Sequence, residues 1–197
     1  AELPAPFVQR IVGAYCRAYR VATEEACPSQ YPYASFDAFF TRKLREGLRP
    51  LEGTERTLIS PADGKLSALG EITEHGLLTV KGQEYTAAEL LEDEPLAKSM
   101  CGGAHFVVYL SPRDYHRVHA PCSGTLRRVR AIDGDRFPVN RLGERHVPQL
   151  FVRNRRVLLE IDSEAFGPVA VIMVGAFIVG RMSVSGIAQP DVSGVHF

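Results

Sequence analysis

Apolar residues recur at helical spacing over residues 5–22 and predict an amphipathic helix. Pro6 suits the first turn of this helix, where a backbone N–H needs no helical partner. Three arginines lie off the apolar stripe. The pattern alone favours a helix packed on its own domain; the alternative is a basic helix in a membrane interface. The stripe consists of Phe7, Val8, Ile11, Val12, Tyr15, Ala18 and Tyr19, and the arginines are Arg10, Arg17 and Arg20.

A second helix is predicted over residues 35–46, with Ser35 as N-cap and with Gly47 and Pro50 as stop signals. The same stretch is rich in basic side chains. These indicate a solvated face or, as the alternative, contact with an anionic lipid surface. The apolar positions are Phe36, Phe39, Phe40 and Leu44, and the basic ones are Arg42, Lys43, Arg45 and Arg49.

Beyond Pro50, short apolar runs alternate with Gly, Pro and Asp, which is typical of a mostly β domain. A short helix is predicted within residues 86–100, with Thr86 as N-cap and Glu89 three residues later. We therefore predict an α+β chain: helices over residues 1–50, then a β-rich, sandwich- or barrel-like body over residues 51–197. The predicted strands are 65–69, 76–80, 105–110, 124–126, 156–161 and 169–179.

Composition narrows the class of protein. Hydrophobic residues make up 45% of the 197, enough for a substantial core. The 23 basic and 23 acidic residues cancel, whereas a nucleic-acid-binding protein usually carries a basic excess. The most apolar run, residues 169–179, is shorter than the roughly 20 residues of a membrane-spanning helix. We expect a chain that is soluble or peripheral to a membrane.

The four cysteines are Cys16, Cys27, Cys101 and Cys122. Their separations match neither a zinc finger nor a C-x-x-C motif. They are predicted to be ordinary thiols in a reducing compartment.

The stretch from Ser111 to Pro121 carries two histidines three residues apart, a carboxylate, a tyrosine and two arginines. Histidine moves protons near neutral pH, so the stretch predicts proton chemistry or metal binding, with a polar loop beside a sheet as the alternative. The spacing of His116, His119 and Cys122 suits a metal. A structural zinc site needs a fourth ligand, however, and the sequence offers none at matching spacing, so no metal is predicted.

The segment Pro61–Gly64 reads Pro-Ala-Asp-Gly and predicts a turn. An aspartate fixed in such a turn is able to orient an imidazole. Asp-Gly turns are common, and the local sequence alone favours a structural role for Asp63.

Several motifs together resemble those of the bacterial phosphatidylserine decarboxylases, and the resemblance runs from about residue 7 to residue 187. The Asp-Tyr-His-Arg-Val-His string is far more specific than a short motif. The matching segments are 39–45, 61–64, 109–121, 135–140, 154–157, 166–168 and 174–176.

The resemblance implies a proenzyme that cleaves itself at a Leu-Gly-Ser-Thr segment, whose serine becomes a pyruvoyl group on a small α chain. It implies that Asp63 and His119 are the charge-relay partners that activate this serine. The imidazole takes the hydroxyl proton, the carboxylate holds the imidazole, and the hydroxyl attacks the preceding carbonyl. An N→O acyl shift and an elimination then leave the pyruvoyl group.

The resemblance further implies conversion of phosphatidylserine to phosphatidylethanolamine and CO2. The substrate amine forms a Schiff base with the pyruvoyl ketone, which draws electrons from the departing carboxylate. His116 is the expected proton donor at this step. Tyr109 and Tyr115 match less directly and are expected to line the same pocket.

The sequence contains no Leu-Gly-Ser-Thr segment, and Ser183, Ser185 and Ser193 lack the context of the family's serine. We therefore expect the larger β chain, inactive without the small α chain, which would also complete the β structure. Residues 1–50 are expected to associate peripherally with an anionic membrane surface, the cytoplasmic face of the bacterial inner membrane. Residues 51–197 would be the large-chain part of the catalytic domain. The alternatives are a catalytically silent lipid-binding homologue and a decarboxylase for a different amino-acid head group or a soluble serine derivative.

Overall fold

The computed structural model describes residues 4–80 and 82–196. Its backbone contacts divide the chain into two compact units. Unit 1 consists of Ala1–Ser67 and Val107–Cys122, and unit 2 consists of Ala68–Phe106 and Ser123–Phe197. Helices and antiparallel strands are both present, which confirms the α+β class. The sandwich- or barrel-like body and the boundary at residue 50 stay predictions.

Helix α1 (Ala5–Tyr19) confirms the first predicted helix, with proline in its first turn. It ends three residues early because Arg20 has a left-handed backbone (φ 55°) and its N–H caps the Cys16 carbonyl. Val8 and Val12 are buried, whereas other members of the stripe, Phe7, Ile11 and Tyr19, are exposed. The stripe is therefore only partly used for packing. No helix within the described residues is long and apolar enough to cross a membrane.

Helix α2 (Phe36–Phe40) begins as predicted, because the Ser35 hydroxyl accepts a hydrogen bond from the Ala38 N–H at 3.0 Å. The prediction that it continues to residue 46 is wrong. Two 3-10 helices, at Thr23–Glu25 and Pro28–Gln30, precede it. Residues 43–45 bond to the segment that links them: Cys27 N–H donates to the Lys43 carbonyl, and Arg45 N–H to the Glu25 carbonyl.

Aromatic side chains form the core of unit 1. Phe39 is fully buried, and its ring lies 5.4 Å from that of Tyr33 and 5.7 Å from that of Phe36. The Tyr15 ring of α1 contacts Phe36 and Phe39 edge-on. This cluster joins α1 to α2.

The first strands form two small sheets. Strand β1 (Lys65–Glu71) pairs with β4 (Ala104–Tyr109), and β2 (Leu77–Val80) forms an antiparallel hairpin with β3 (Gln83–Thr86). The pattern did not predict β3.

The helix predicted within residues 86–100 is two helices, α3 (Ala87–Leu91) and α4 (Glu94–Ser99). The capping box of Thr86 and Glu89 is confirmed. The helix breaks because Glu92 has a positive φ of 48° and Asp93 caps α4, accepting from the Leu96 N–H at 2.9 Å.

Unit 2 contains a four-stranded antiparallel sheet in the order β7-β6-β5-β8. Val129, Val157 and Val192 are fully buried in its core. The strand predicted to reach residue 179 ends at Val174, opposite the first residue of β6, so residues beyond it have no partner in β6. Phe177 is 78% exposed as a result. The strands are β5 (Thr125–Ile132), β6 (Arg156–Ser163), β7 (Gly167–Val174) and β8 (Val195–His196), and helices α5 (Arg141–His146) and α6 (Leu150–Arg153), which were not predicted, precede β6.

Arg156 is fully buried where α3 and α6 end. Its guanidinium donates to backbone carbonyls in the last turns of both helices and pairs with Glu92 at 3.2 Å. Carbonyls at helix ends have no partner within the helix, so one cation caps both. The backbone acceptors are Glu89, Leu90, Phe151, Val152 and Asn154.

Candidate active site

Backbone hydrogen bonds in unit 1 hold the Pro61–Gly64 turn beside the histidine-bearing segment. The His119 N–H donates to the Pro61 carbonyl at 2.7 Å, and the Ile59 N–H donates to the Pro121 carbonyl at 2.9 Å. A Cβ at Gly64 would lie 2.5 Å from the Tyr109 carbonyl oxygen, so this position accepts only glycine. Backbone hydrogen bonds therefore explain how Asp63, in its turn, comes to lie near the segment that carries His119.

The Asp63 carboxylate is bound by Arg49, a residue that the sequence did not mark for the site. Arg49 Nε lies 3.1 Å and 2.9 Å from the two oxygens, and Nη2 lies 2.6 Å from Oδ2. Arg49 Nη2 also lies 2.9 Å from Glu25 Oε2. Across residues 4–80 and 82–196, no hydrogen bond joins Asp63 to His119, so the two predicted relay partners are neighbours that are not bonded.

His119 is exposed, and its Nε2 lies 3.1 Å from the hydroxyl of Tyr115. The two rings stack at a centroid distance of 5.7 Å. Burial raises the pKa of Tyr115, and the charge of Asp63 adds to this, against the opposing effect of nearby arginines. The phenol is therefore protonated at neutral pH and is able to donate to Nε2.

His116 lies against the Phe40 ring, at a centroid distance of 3.9 Å. Its Nδ1 is 2.8 Å from the backbone carbonyl of Asp114. Burial lowers the pKa of His116, and the charge of Arg42 acts in the same direction, while the bond to the Asp114 carbonyl opposes both. A carbonyl oxygen only accepts, so Nδ1 carries the hydrogen and Nε2 is the basic atom of a neutral ring.

The loop that carries the histidines is fixed by its own polar residues. Asp114 Oδ2 accepts from both the N–H and the hydroxyl of Ser111, each at 2.7 Å. Arg117 Nε donates to the Thr41 carbonyl at 2.8 Å. Burial raises the pKa of Tyr15 to about 12, so its hydroxyl stays protonated and donates to the Pro112 carbonyl at 2.9 Å. Part of the polar motif is therefore structural.

An open cleft of about 600 Å³ in unit 1 contains Asp63 and Tyr109. Tyr115, His116 and His119 do not line it, so the predicted pocket residues are divided: Tyr109 faces the cleft and Tyr115 bonds to His119. The cleft is lined by Ser60, Ala62, Asp63, Gly64, Lys65, Tyr109, Ser111, Arg113 and Asp114.

The cysteines are free thiols. Within the described part of the chain, no group of three or more His, Cys, Asp or Glu side chains is arranged to hold a metal ion. His116, His119 and Cys122 accordingly do not form a metal site there.

Comparison with known proteins gives one family. A family model described as phosphatidylserine decarboxylase matches residues 36–194. Similar curated proteins are the phosphatidylserine decarboxylase proenzymes of Xylella fastidiosa strain M23, 46% identical over 157 residues, and of Yersinia pestis strain Pestoides F, 44% identical over 191 residues. That of Haemophilus ducreyi is 42% identical over 184 residues.

These alignments cover 80%, 95% and 91% of this chain respectively. They cover 53%, 65% and 62% of the relatives, so the chain spans a little over half to two thirds of their length. The matched region includes the Pro61–Gly64 turn and both histidines of the 111–121 loop. The chain belongs to the phosphatidylserine decarboxylase family.

Proposed function

We propose that this chain is the large-chain part of a pyruvoyl-dependent phosphatidylserine decarboxylase, which converts phosphatidylserine to phosphatidylethanolamine and CO2. The observation that carries the proposal is that the family match includes Asp63, His116 and His119, on adjoining segments of one unit. The relatives are named proenzymes, which supports self-processing into this chain and a small α chain. The small chain would bear the pyruvoyl group and complete a sandwich- or barrel-like β body.

The residues present fit a reactive group carried on a second chain. His119 is exposed, and Asp63 borders an open cleft, so a partner segment is able to reach both. When bound, the pyruvoyl group supplies a ketone that accepts the electrons released with the substrate carboxylate.

In self-processing, His119 Nε2 accepts the proton of the serine hydroxyl, and the Asp63 anion stabilises the resulting imidazolium. Because Nε2 is bonded to Tyr115, this step requires Nε2 to exchange the phenol for the serine hydroxyl. In decarboxylation, His116 takes up a proton at Nε2 and delivers it to the substrate carbon, while its Nδ1–H stays on the Asp114 carbonyl.

We also propose that the protein associates peripherally with the cytoplasmic face of the bacterial inner membrane. Helix α1 supports this, because Phe7 is 51% exposed and Ile11 is 37% exposed beside the basic Arg10 and Arg17. Cosedimentation tests it. Vesicles of phosphatidylglycerol should retain the protein and vesicles of phosphatidylcholine should not, and Phe7→Ser with Ile11→Ser should abolish retention. Equal retention of the double variant would refute it.

A catalytically silent lipid-binding homologue is the second candidate. One observation favours it: within the described residues no hydrogen bond joins Asp63 to His119, and His119 Nε2 is bonded to Tyr115. The two candidates differ in whether a precursor cleaves itself.

The test uses the full-length precursor. His119→Ala should stop self-cleavage, because the serine loses its base. His116→Ala should mature but decarboxylate phosphatidylserine about 10²-fold more slowly or worse. His75→Ala, at an exposed position of unit 2, is the matched control and should behave as wild type. A wild-type precursor that never matures would favour the silent homologue. Decarboxylase activity that hydroxylamine fails to inhibit would refute the pyruvoyl mechanism, because a ketone electrophile should be trapped.

A further inference from the structure

Arg49 binds the Asp63 carboxylate through two nitrogens. Its Nε reaches both carboxylate oxygens and its Nη2 reaches Oδ2, with the shortest distance 2.6 Å. Two parallel bonds fix the plane of a carboxylate, which one bond does not. The three residues of this cluster, Arg49, Asp63 and Glu25, come from separate segments of unit 1, so the contact depends on the fold.

Stability alone gives little reason for this arrangement. The Arg49 side chain is 44% exposed and the Asp63 side chain 29% exposed, and ion pairs in such positions contribute little to folding. Unit 2 contains a comparable pair: Arg127 Nε and Nη2 lie 3.2 Å and 2.7 Å from Asp162 Oδ2. That pair bonds to no candidate site residue, and so it provides an internal control.

The location of Asp63 makes its ion pair with Arg49 relevant to the proposed self-processing reaction. Asp63 borders the cleft, and its turn is bonded to the backbone of His119. A carboxylate that stabilises an imidazolium has to stay ionised and hold its orientation. A guanidinium is always charged and leaves further lone pairs of the carboxylate available, so it serves both needs.

We propose that Arg49 is a positioning residue for self-processing, which acts by holding the Asp63 carboxylate toward His119. The inference rests on the proposed function, because it assigns Arg49 to the same relay. Glu25 acts on Arg49 in turn: it accepts a second hydrogen bond from Nη2 and so restrains the guanidinium.

The experiment follows the appearance of the two chains from the full-length precursor by mass spectrometry. Arg49→Ala should slow self-processing by about 10- to 100-fold, the size expected when a reacting group loses its orientation. Arg49→Lys should recover part of the rate, because lysine restores the positive charge but cannot form a bidentate ion pair with the carboxylate. Millimolar guanidinium chloride should accelerate Arg49→Ala and leave Asp63→Ala unaffected. Arg127→Ala should mature as wild type.

The outcomes separate this inference from the function on which it rests. A wild-type precursor that does not mature overturns both. A wild-type precursor that matures, with Arg49→Ala maturing equally fast, overturns the role of Arg49 alone. If Arg49→Ala is slow but guanidinium accelerates neither alanine variant, or if Arg49→Ala slows the Asp63→Asn precursor by the same factor as wild type, Arg49 does not act through Asp63.

Discussion

Replacing Arg156 by Met removes the cation that caps both α3 and α6 while keeping most of the buried volume. Its guanidinium donates to the carbonyls of Leu90 at 3.1 Å and Asn154 at 3.0 Å. Those to Glu89 at 3.3 Å, to Val152 and to the Glu92 carboxylate at 3.2 Å make five, besides a longer contact to the Phe151 carbonyl at 3.4 Å. At about 1 kcal/mol net for each bond, they amount to about 5 kcal/mol.

The buried guanidinium is costly to desolvate, and its removal returns part of this energy. We therefore expect Arg156→Met to lower the free energy of unfolding by about 3 kcal/mol. With a urea dependence of about 2 kcal/mol per molar, the midpoint of urea unfolding should fall by about 1.5 M.

Urea unfolding at pH 7, followed by circular dichroism, measures this shift. Arg127→Met is the control, because Arg127 is exposed and pairs with Asp162 at the surface, so its loss should cost less than about 1 kcal/mol. If the urea midpoint of Arg156→Met equals that of Arg127→Met, the Arg156 guanidinium does not stabilise α3 and α6.

The other predictions concern protonation, the relay and close packing. Because burial lowers the pKa of His116, unfolding takes up a proton between its folded value and the unfolded value of about 6.5. The free energy of unfolding should thus fall as the pH drops below about 6.5, and less so in His116→Gln; equal pH dependence in urea titrations would contradict this. Tyr115→Phe removes the hydroxyl bonded to His119 Nε2, so the precursor should mature at least as fast as wild type. Self-cleavage that is tenfold slower, followed over time by gel electrophoresis, would contradict this. Gly143→Ala drives a Cβ into the Pro138 carbonyl and should cost more than about 1 kcal/mol in thermal melts. Gly13→Ala on α1 adds a Cβ that meets only the Arg17 guanidinium, at an ordinary contact distance of 3.7 Å, and should stabilise by about 0.5–1 kcal/mol.

Helix starts could be predicted from the sequence because their signals are local. Ser35 and Thr86 cap the residues that follow them, and the distance to the bonded N–H is fixed by the chain itself. Helix ends could not be predicted as well. Residues 43–45 are not helical and bond to residues 25–27, earlier in the chain, and no local pattern reports such a partner.

The candidate site follows the same division. The motifs predicted that Asp63 and His119 work together, and the backbone bond from His119 to Pro61 holds their two segments side by side. The side-chain partners depend on the fold. From the sequence alone, Arg49 is one of several basic residues on a solvated face, and Phe40 is one position of an apolar helix face. That Phe40 covers His116 follows only once the helix and the loop are packed together.

The close approach of Gly64 to the Tyr109 carbonyl sets a limit on variation at that position. Saturation mutagenesis of the Pro-Ala-Asp-Gly segment should return glycine alone at its last position, even under selection for folding without any enzymatic demand. The substitutions accepted at Gly64 would then be limited by the space available, whereas those accepted at Asp63 would be limited by the need for a negative charge.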